Sequence, residues 1–256
     1  MKNINFVLYT HTDYMDILNI NLDFSKGFKK TLVINQSKLN PNIIDKFDNV
    51  IYYDDSKQYG DRVYSSLTQI DDDYILFTHD IDIPLYYDEE FLIKLQKEMI
   101  NNGIDRIDLQ QDCRVFNDPN IVNRDSNINI EDFTLIRNDS VRNYIYNVNP
   151  SLWVRDSFIK ILEGFRGESY RSIEISGIQN KCLDFKIYKC HHEQSCKLGW
   201  FWVTPIYRYL HITHGGKLLP ISNHVNGLDG KTQKTYEGIV NKFELTKGKR
   251  VFSSTL

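Results

Sequence analysis

The chain has 256 residues, 41% of them hydrophobic and 25% charged, which is enough to bury one sizeable core. Lys+Arg 31 against Asp+Glu 34 leave a formal charge of -3, which excludes recognition of nucleic acid or an anionic membrane through a bulk basic surface. Four cysteines make no disulfide scaffold, and no apolar run approaches the ~20 residues of a membrane helix, so a soluble protein of a reducing, cytoplasmic compartment is expected.

In chain order, short β-rich runs alternate with polar, helix-capable segments, the pattern of an α/β fold with a mainly parallel sheet. Strands are predicted at Asn5–Tyr9, Thr31–Ile34, Val50–Tyr53 and Tyr74–Thr78. The first of these follows Met1 directly and reads as a strand, not as a secretory signal. Helices are predicted at Asp61–Ile70, where Val63, Leu67 and Ile70 recur at helical spacing, and at Asp88–Asn101, ended by Asn102-Gly103. Arg106–Phe116 and Phe133–Asn147 read as longer strands joined by the polar stretch Asn117–Asp132, an antiparallel addition to the parallel sheet. Asn149-Pro150-Ser151 reads as a turn before a helix over Leu152–Leu162, followed by a second helix over Ser172–Leu183. Gly199–Leu210 returns as a strand or buried turn, and a terminal helix is expected around Tyr236–Phe243.

The segment richest in chemical meaning is Tyr74-Ile-Leu-Phe77-Thr78-His79-Asp80-Ile81-Asp82. An apolar strand ends in His-Asp-x-Asp at the sheet's carboxyl edge, where open α/β sheets bind their ligands. Carboxylates two apart on an extended segment point the same way, and such a pair can hold a hard divalent cation that bridges a diphosphate. Asp-x-Asp alone is a weak signal in a chain without alanine and rich in Asp and Asn. Asp71-x-Asp73 matches the same pattern before the strand, where a solvated turn is the natural reading, so position separates the two.

At these residues the chain resembles the GT-A class of nucleotide-sugar-dependent glycosyltransferases, viral and bacterial members included. Tyr9-Thr10-His11-Thr12-Asp13-Tyr14 resembles the nucleotide-holding loop after the first strand, and Tyr59 to Ile70, with Arg62, the helix before the central strand. Asp80-x-Asp82 resembles the metal motif, and Asn149-Pro-Ser-Leu-Trp153 the segment lining donor sugar and acceptor. Glu174 falls where inverting members keep a catalytic carboxylate. The resemblance spans residues 1–217, with 218–256 as an extension packed on the same domain.

The resemblance implies a single GT-A-like Rossmann-type domain that moves a hexosyl group from a nucleoside-diphosphate sugar, UDP-sugars first, to a glycan or glycoconjugate hydroxyl. It also implies a bound Mn2+ or Mg2+. Asp80 and Asp82 would hold the cation, completed by a histidine of His211-Ile-Thr-His214-Gly-Gly216, with His214 the choice; Lys217 follows as a phosphate contact or a solvated lysine. Thr10, His11, Asp13 and Tyr14 would hold base and ribose, or cap the next helix. Arg62 would meet the diphosphate, or pair with Asp61 or Asp54. His79 would lie beside the metal or touch sugar, and Trp153 would stack on a sugar or pack in the core. Glu174 is the expected base, with Glu168 as runner-up on the acceptor side.

Three other readings stay open. Paired aspartates after a strand also serve metal-dependent nucleotidyltransferases and phosphohydrolases, although the chain has no Gly-x-x-x-x-Gly-Lys element. A non-catalytic sugar- or nucleotide-binding protein could keep the same fold. Cys182, Cys190-His191-His192 and Cys196 offer zinc-type ligands, but match no paired Cys-x-x-Cys spacing. Asn-x-Ser at Asn35 and Asn138 is expected to go unglycosylated.

Overall fold

A computed structural model describes residues 4–24, 27–35, 39–109, 127–138, 145–175, 177–192, 196–198, 201–203, 207–214, 216–219, 230–245 and 250. Four parallel strands, β1 (Ile4–Tyr9), β2 (Lys29–Ile34), β3 (Asn49–Tyr52) and β4 (Tyr74–His79), lie in the order β3-β2-β1-β4. Alternation along them explains the layers. On β1, Phe6 and Leu8 enter one core and Val7 and Tyr9 the other; on β4, Leu76 opposes Ile75 and Phe77. Both faces are therefore apolar and both are covered. Leu18 and Leu22 of α1 (Met15–Phe24) lie in the first core. A one-turn α2 (Pro41–Ile44) starts on an Asn40 cap, and α3 (Tyr59–Leu67) sends Tyr59, Val63 and Leu67 to the second core. On the first face, α4 (Glu89–Asn102) buries Phe91, Leu92, Leu95 and Met99. Its limits are chemical: the Asp88 carboxylate accepts the Phe91 N–H at 3.0 Å, and Gly103 stops the helix at φ 61.

After β4 the chain leaves this sheet. β5 (Asp82–Tyr87) forms the edge of a second, four-stranded antiparallel sheet. No strand was expected here because of Pro84, which is tolerated at an edge, opposite Tyr209 and beside a register shift. The main sheet continues with β6 (Arg106–Asp108), β7 (Ile128–Ile130), β8 (Phe133–Arg137), β9 (Ser151–Val154) and β10 (Ile187–His192), completing the nine-stranded order β3-β2-β1-β4-β9-β6-β10-β8-β7. β8 and β9 run against the rest, so the sheet is mainly parallel with an antiparallel addition, as expected.

Four expectations change in detail. The strands expected over Arg106–Phe116 and Phe133–Asn147 end at Asp108 and Arg137, and 110–126 and 139–144 lie outside the described residues. The linker expected over Asn117–Asp132 contains β7, which turns into β8 through Glu131 at φ 54. The helix expected from Leu152 begins at Arg155 as α5 (Arg155–Glu163), because Leu152 and Trp153 alternate between the two cores as strand residues must. A short α6 (Tyr170–Ile175) and a 3-10 turn (Gly177–Cys182) replace the single helix expected over Ser172–Leu183.

The second sheet adds β11 (Cys196–Leu198), β12 (Phe201–Val203) and β13 (Tyr207–His211), and a two-stranded hairpin joins β14 (Thr213–His214) to β15 (Lys217–Leu218). The terminal helix α7 (Gly230–Lys242) supplies Tyr236, Ile239 and Val240 to a third core with Ile17 and Ile20 of α1, Ile83 of β5 and Leu210 of β13. No helix among the described residues is long and apolar enough to cross a membrane.

Candidate active site

The chain runs outward from β1 through β2 to β3, then crosses back to place β4 on the other side of β1. That reversal opens a crevice at the carboxyl ends of β1 and β4, the position where open α/β sheets take ligands. Thr10 follows β1 and Asp80 follows β4; the Asp80 N–H donates to the Tyr9 carbonyl at 3.0 Å, and the Thr10 hydroxyl donates to the Asp80 carboxylate. Asn21 of α1 donates to the Asp80 carbonyl at 2.5 Å. Asp82 is paired in register with His211, whose Nδ1 lies 2.8 Å from its Oδ1.

Asp80 is 5% exposed and Asp82 1% exposed. Burial pushes the Asp80 carboxyl up to about 7, against the Thr10 hydrogen bond and helped by the Asp82 charge. A buried acid pair of this kind needs a proton or a cation to neutralise it. Among the described residues no group of three or more His, Cys, Asp or Glu side chains is placed to hold a metal ion. Two buried carboxylates still suit a magnesium-like cation, which takes one or two carboxylates and completes its shell with water and phosphate oxygens. The backbone of His214 pairs with Lys217, and its side chain lies outside the described residues. Lys217 is exposed on the hairpin.

On one side of the acid pair lies an aromatic and polar wall. Tyr9 and Tyr53 stack at 5.1 Å, the Tyr53 hydroxyl donates to the Thr10 carbonyl at 2.9 Å, and the Arg62 guanidinium sits 5.3 Å over the Tyr53 ring. Arg62 pairs with Asp55 at 3.0 Å, not with Asp54 or Asp61; Asp61 instead binds Arg166 and the Gly167 N–H. His11 lies 3.1 Å from Asp55 and 2.8 Å from the Asn35 amide, and the His11 hydrogen bond, with Arg62, holds the Asp55 carboxyl below its usual range. His11 also caps the 3-10 turn by accepting the Asp13 N–H, while the Asp13 side chain is exposed. Tyr14 lies under Arg250, whose guanidinium is 4.5 Å from the ring centroid. Burial and the nearby Asp80 charge raise the Tyr14 phenol.

On the other side stands Glu174 of α6. Its Oε1 accepts the Val148 N–H at 3.1 Å, and burial raises its carboxyl above the usual range although that hydrogen bond opposes the shift. The Asp82 and His211 charges reach it. The Val148 segment is held from behind by Arg106, fully buried, which donates to the Ile145 carbonyl, the Asn147 carbonyl and amide oxygens, and the Ser151 hydroxyl at 2.6–3.1 Å. Glu168 lies in the α5–α6 loop, where its carbonyl accepts the Gly60 N–H at 3.1 Å.

Two expected sugar contacts are corrected. Trp153 is 1% exposed and stacks on Phe158 at 4.1 Å inside the second core, which closes its ring to a ligand. Both His79 nitrogens are already bonded, Nδ1 to the Val148 carbonyl and Nε2 to the Tyr59 hydroxyl, each at 3.0 Å. Burial lowers the His79 pKa to about 4, so the ring is neutral near pH 7 and braces the site. Of the zinc-type ligands, Cys182 and Cys190 are free thiols in the two different cores, separated by the sheet, so these two do not share a site. The Cys196 side chain lies outside the described residues.

Sequence reasoning missed Asn35, Tyr53 and Asp55, which follow β2 and β3 at the same carboxyl edge that flagged Asp80. It also missed Tyr170, Arg106 and Arg250, which no local motif marks.

No family profile and no curated protein matches the chain. Among solved structures it is similar to S. aureus TarS, at 13% identity over 82% of this chain and 36% of that chain, with a TM-score of 0.45. It is also similar to S. aureus TarS 1-349 in complex with UDP-GlcNAc, at 12% identity, 96% and 66% coverage and a TM-score of 0.46. A third is CMP:2-keto-3-deoxy-manno-octonic acid synthetase complexed with CTP, at 12% identity, 74% and 89% coverage and a TM-score of 0.41. The chain thus spans 36% of the full TarS chain.

Proposed function

We propose that the chain is a divalent-cation-dependent, inverting glycosyltransferase that moves a sugar from a nucleoside-diphosphate sugar to a hydroxyl of a glycan or glycoconjugate. The observation that carries this reading is a buried acid pair, Asp80 and Asp82, just past the point where the strand order reverses, and, apart from it, a half-buried carboxylate of raised pKa, Glu174. A Mn2+ or Mg2+ ion held by the pair would supply the positive charge that the near-neutral chain does not, opposite the departing diphosphate. The accessible Arg62, His11, Asp55 and Asn35, backed by the buried Tyr53, suit a nucleobase and ribose through stacking on the guanidinium or imidazole and hydroxyl contacts, with Thr10, Asp13 and Tyr14 beside them. Glu174 takes the acceptor hydroxyl's proton as that oxygen bonds to the anomeric carbon and the carbon–diphosphate bond breaks on the opposite face. Its raised pKa suits a base that must hold a proton through the transfer.

The test is a thermal-shift titration with UDP, with and without MnCl2, followed by a hydrolysis screen of UDP-hexoses. At about 100 times its Kd a ligand adds ~2.7 kcal/mol, or roughly 5–10 °C in a chain of this size. The shift is expected to need the metal and to vanish in Asp80→Ala and Asp82→Ala. No nucleotide response in the wild type would remove the reading. Release of pyrophosphate from a nucleoside triphosphate, instead of nucleoside diphosphate from a sugar nucleotide, would establish the nucleotidyltransferase alternative.

A further inference from the structure

Tyr170 opens α6 and is one of the few large aromatic side chains left exposed, at 42%. Its surroundings set it apart from the other exposed tyrosines, Tyr52 and Tyr86, which lie on β3 and β5. The ring stands edge-to-face on Tyr59 at 5.6 Å and on His79 at 6.5 Å. Those two rings are themselves fixed by the Tyr59 hydroxyl bond to His79 Nε2 and by the His79 bond to the Val148 carbonyl. Glu174 follows one helical turn later on α6, and the charges of Glu174 and Asp82 both reach the phenol. An aromatic ring held rigidly at its base, with its body open to solvent, is a surface that an apolar ligand face can cover without further ordering.

We propose that Tyr170 is the platform on which the transferred sugar packs, the C–H face of a pyranose lying against the phenol ring. The inference rests on the glycosyltransferase reading and adds a specificity-determining residue to it. In a single displacement the sugar must span the distance from the departing diphosphate to the incoming hydroxyl. Tyr170 packs on His79, which precedes Asp80 on the diphosphate side, and lies one helical turn before Glu174 on the hydroxyl side. Packing on the ring would hold the anomeric carbon in line between them. Burial and the neighbouring carboxylates raise the phenol well above its ordinary value, so the hydroxyl stays protonated across the working pH range.

The experiment compares UDP with UDP-glucose and UDP-GlcNAc, by calorimetric titration in MnCl2, on the wild type, Tyr170→Phe and Tyr170→Ala, each checked for an unchanged melting curve. In the wild type one sugar nucleotide binds more tightly than UDP or is hydrolysed. Tyr170→Ala is expected to lose that preference by roughly five- to tenfold, the strength of one aromatic contact, with UDP affinity unchanged. Tyr170→Phe keeps the ring and is expected to retain the preference. Equal sugar-nucleotide affinity and hydrolysis in Tyr170→Ala and wild type would overturn the platform while leaving the enzyme reading intact. Absence of any metal-dependent UDP binding in the wild type would instead strike the reading beneath it.

Discussion

Glu174 carries two opposing demands, and they can be separated by pH. Its carboxyl is raised by burial above the ordinary glutamate range, so the folded protein binds this proton more tightly than the unfolded chain does. Between the unfolded and folded values the native state therefore holds more protons, and stability falls as pH rises through that window. The penalty is complete above the folded value and absent below the unfolded one. Glu174→Gln removes it, keeping an oxygen for the Val148 N–H, and is expected to melt slightly higher than wild type at pH 8, with the gap closing near pH 4. The same variant is expected to lose about 10²–10⁴ in transfer rate, and the acid limb of the wild-type kcat/KM profile to lie above the ordinary glutamate range. Unchanged transfer in Glu174→Gln would return this carboxylate to a structural role.

At this scale the sequence located residues that end a strand at the carboxyl edge, because the change from apolar run to charge is visible in one dimension. Thr10 and Asp80 are joined at that edge for that reason. It does not tell which face a side chain takes, so Trp153 stays open there between sugar and core and His79 between metal and sugar, while Tyr170, a lone aromatic before a short helix, goes unmarked.

Among the elements, α3 and the loop after α5 meet in a close backbone fit. A Cβ on Gly60 would stand 2.0 Å from the Phe165 carbonyl oxygen, so only glycine allows the two to meet. The Gly60 N–H also donates to the Glu168 carbonyl, which ties α3 to the loop preceding α6. Gly60→Ala is expected to cost roughly 1–3 kcal/mol and to raise hydrogen exchange in α6, displacing Glu174 and Tyr170; an unchanged melting temperature would contradict the contact. Trp153→Ala, by comparison, is a core truncation expected to cost about 3–5 kcal/mol, read from denaturant unfolding. The first four strands and α4 were legible because their periods and caps are local. β5, β7 and β9 were not: Pro84 reads as a breaker until its strand is seen at a sheet edge, and Leu152-Trp153 fits the start of a helix as well as a strand between two cores.

For the whole molecule, the most distant connection in sequence is Arg250. Its guanidinium grips the Asp16 carboxylate in a two-point pair at 2.5 and 2.8 Å and donates to the Asp13 and Gly216 carbonyls. It thereby joins the loop after β1, the start of α1 and the β14–β15 hairpin, which come from opposite ends of the chain. Nothing local in a basic C-terminal stretch announces this, since Asp13 and Asp16 lie more than two hundred residues away. Arg250→Ala is expected to lower stability by about 1–3 kcal/mol and to weaken UDP binding several-fold, whereas Arg250→Lys keeps the charge, loses the fork and recovers only part of both. Equal UDP affinity across the three proteins would confine Arg250 to stability.

The acid pair also has a mechanical meaning. Asp80 hangs from the last hydrogen bond of the nine-stranded sheet, while Asp82 is the first residue of the four-stranded one, so the two carboxylates belong to different plates joined at Ile81. Their separation is a caliper reading of the angle between those plates. Any occupant that fixes the gap also locks the joint, and any strain that flexes the joint, even from the far end of β13, arrives at the carboxylates as a change in their spacing.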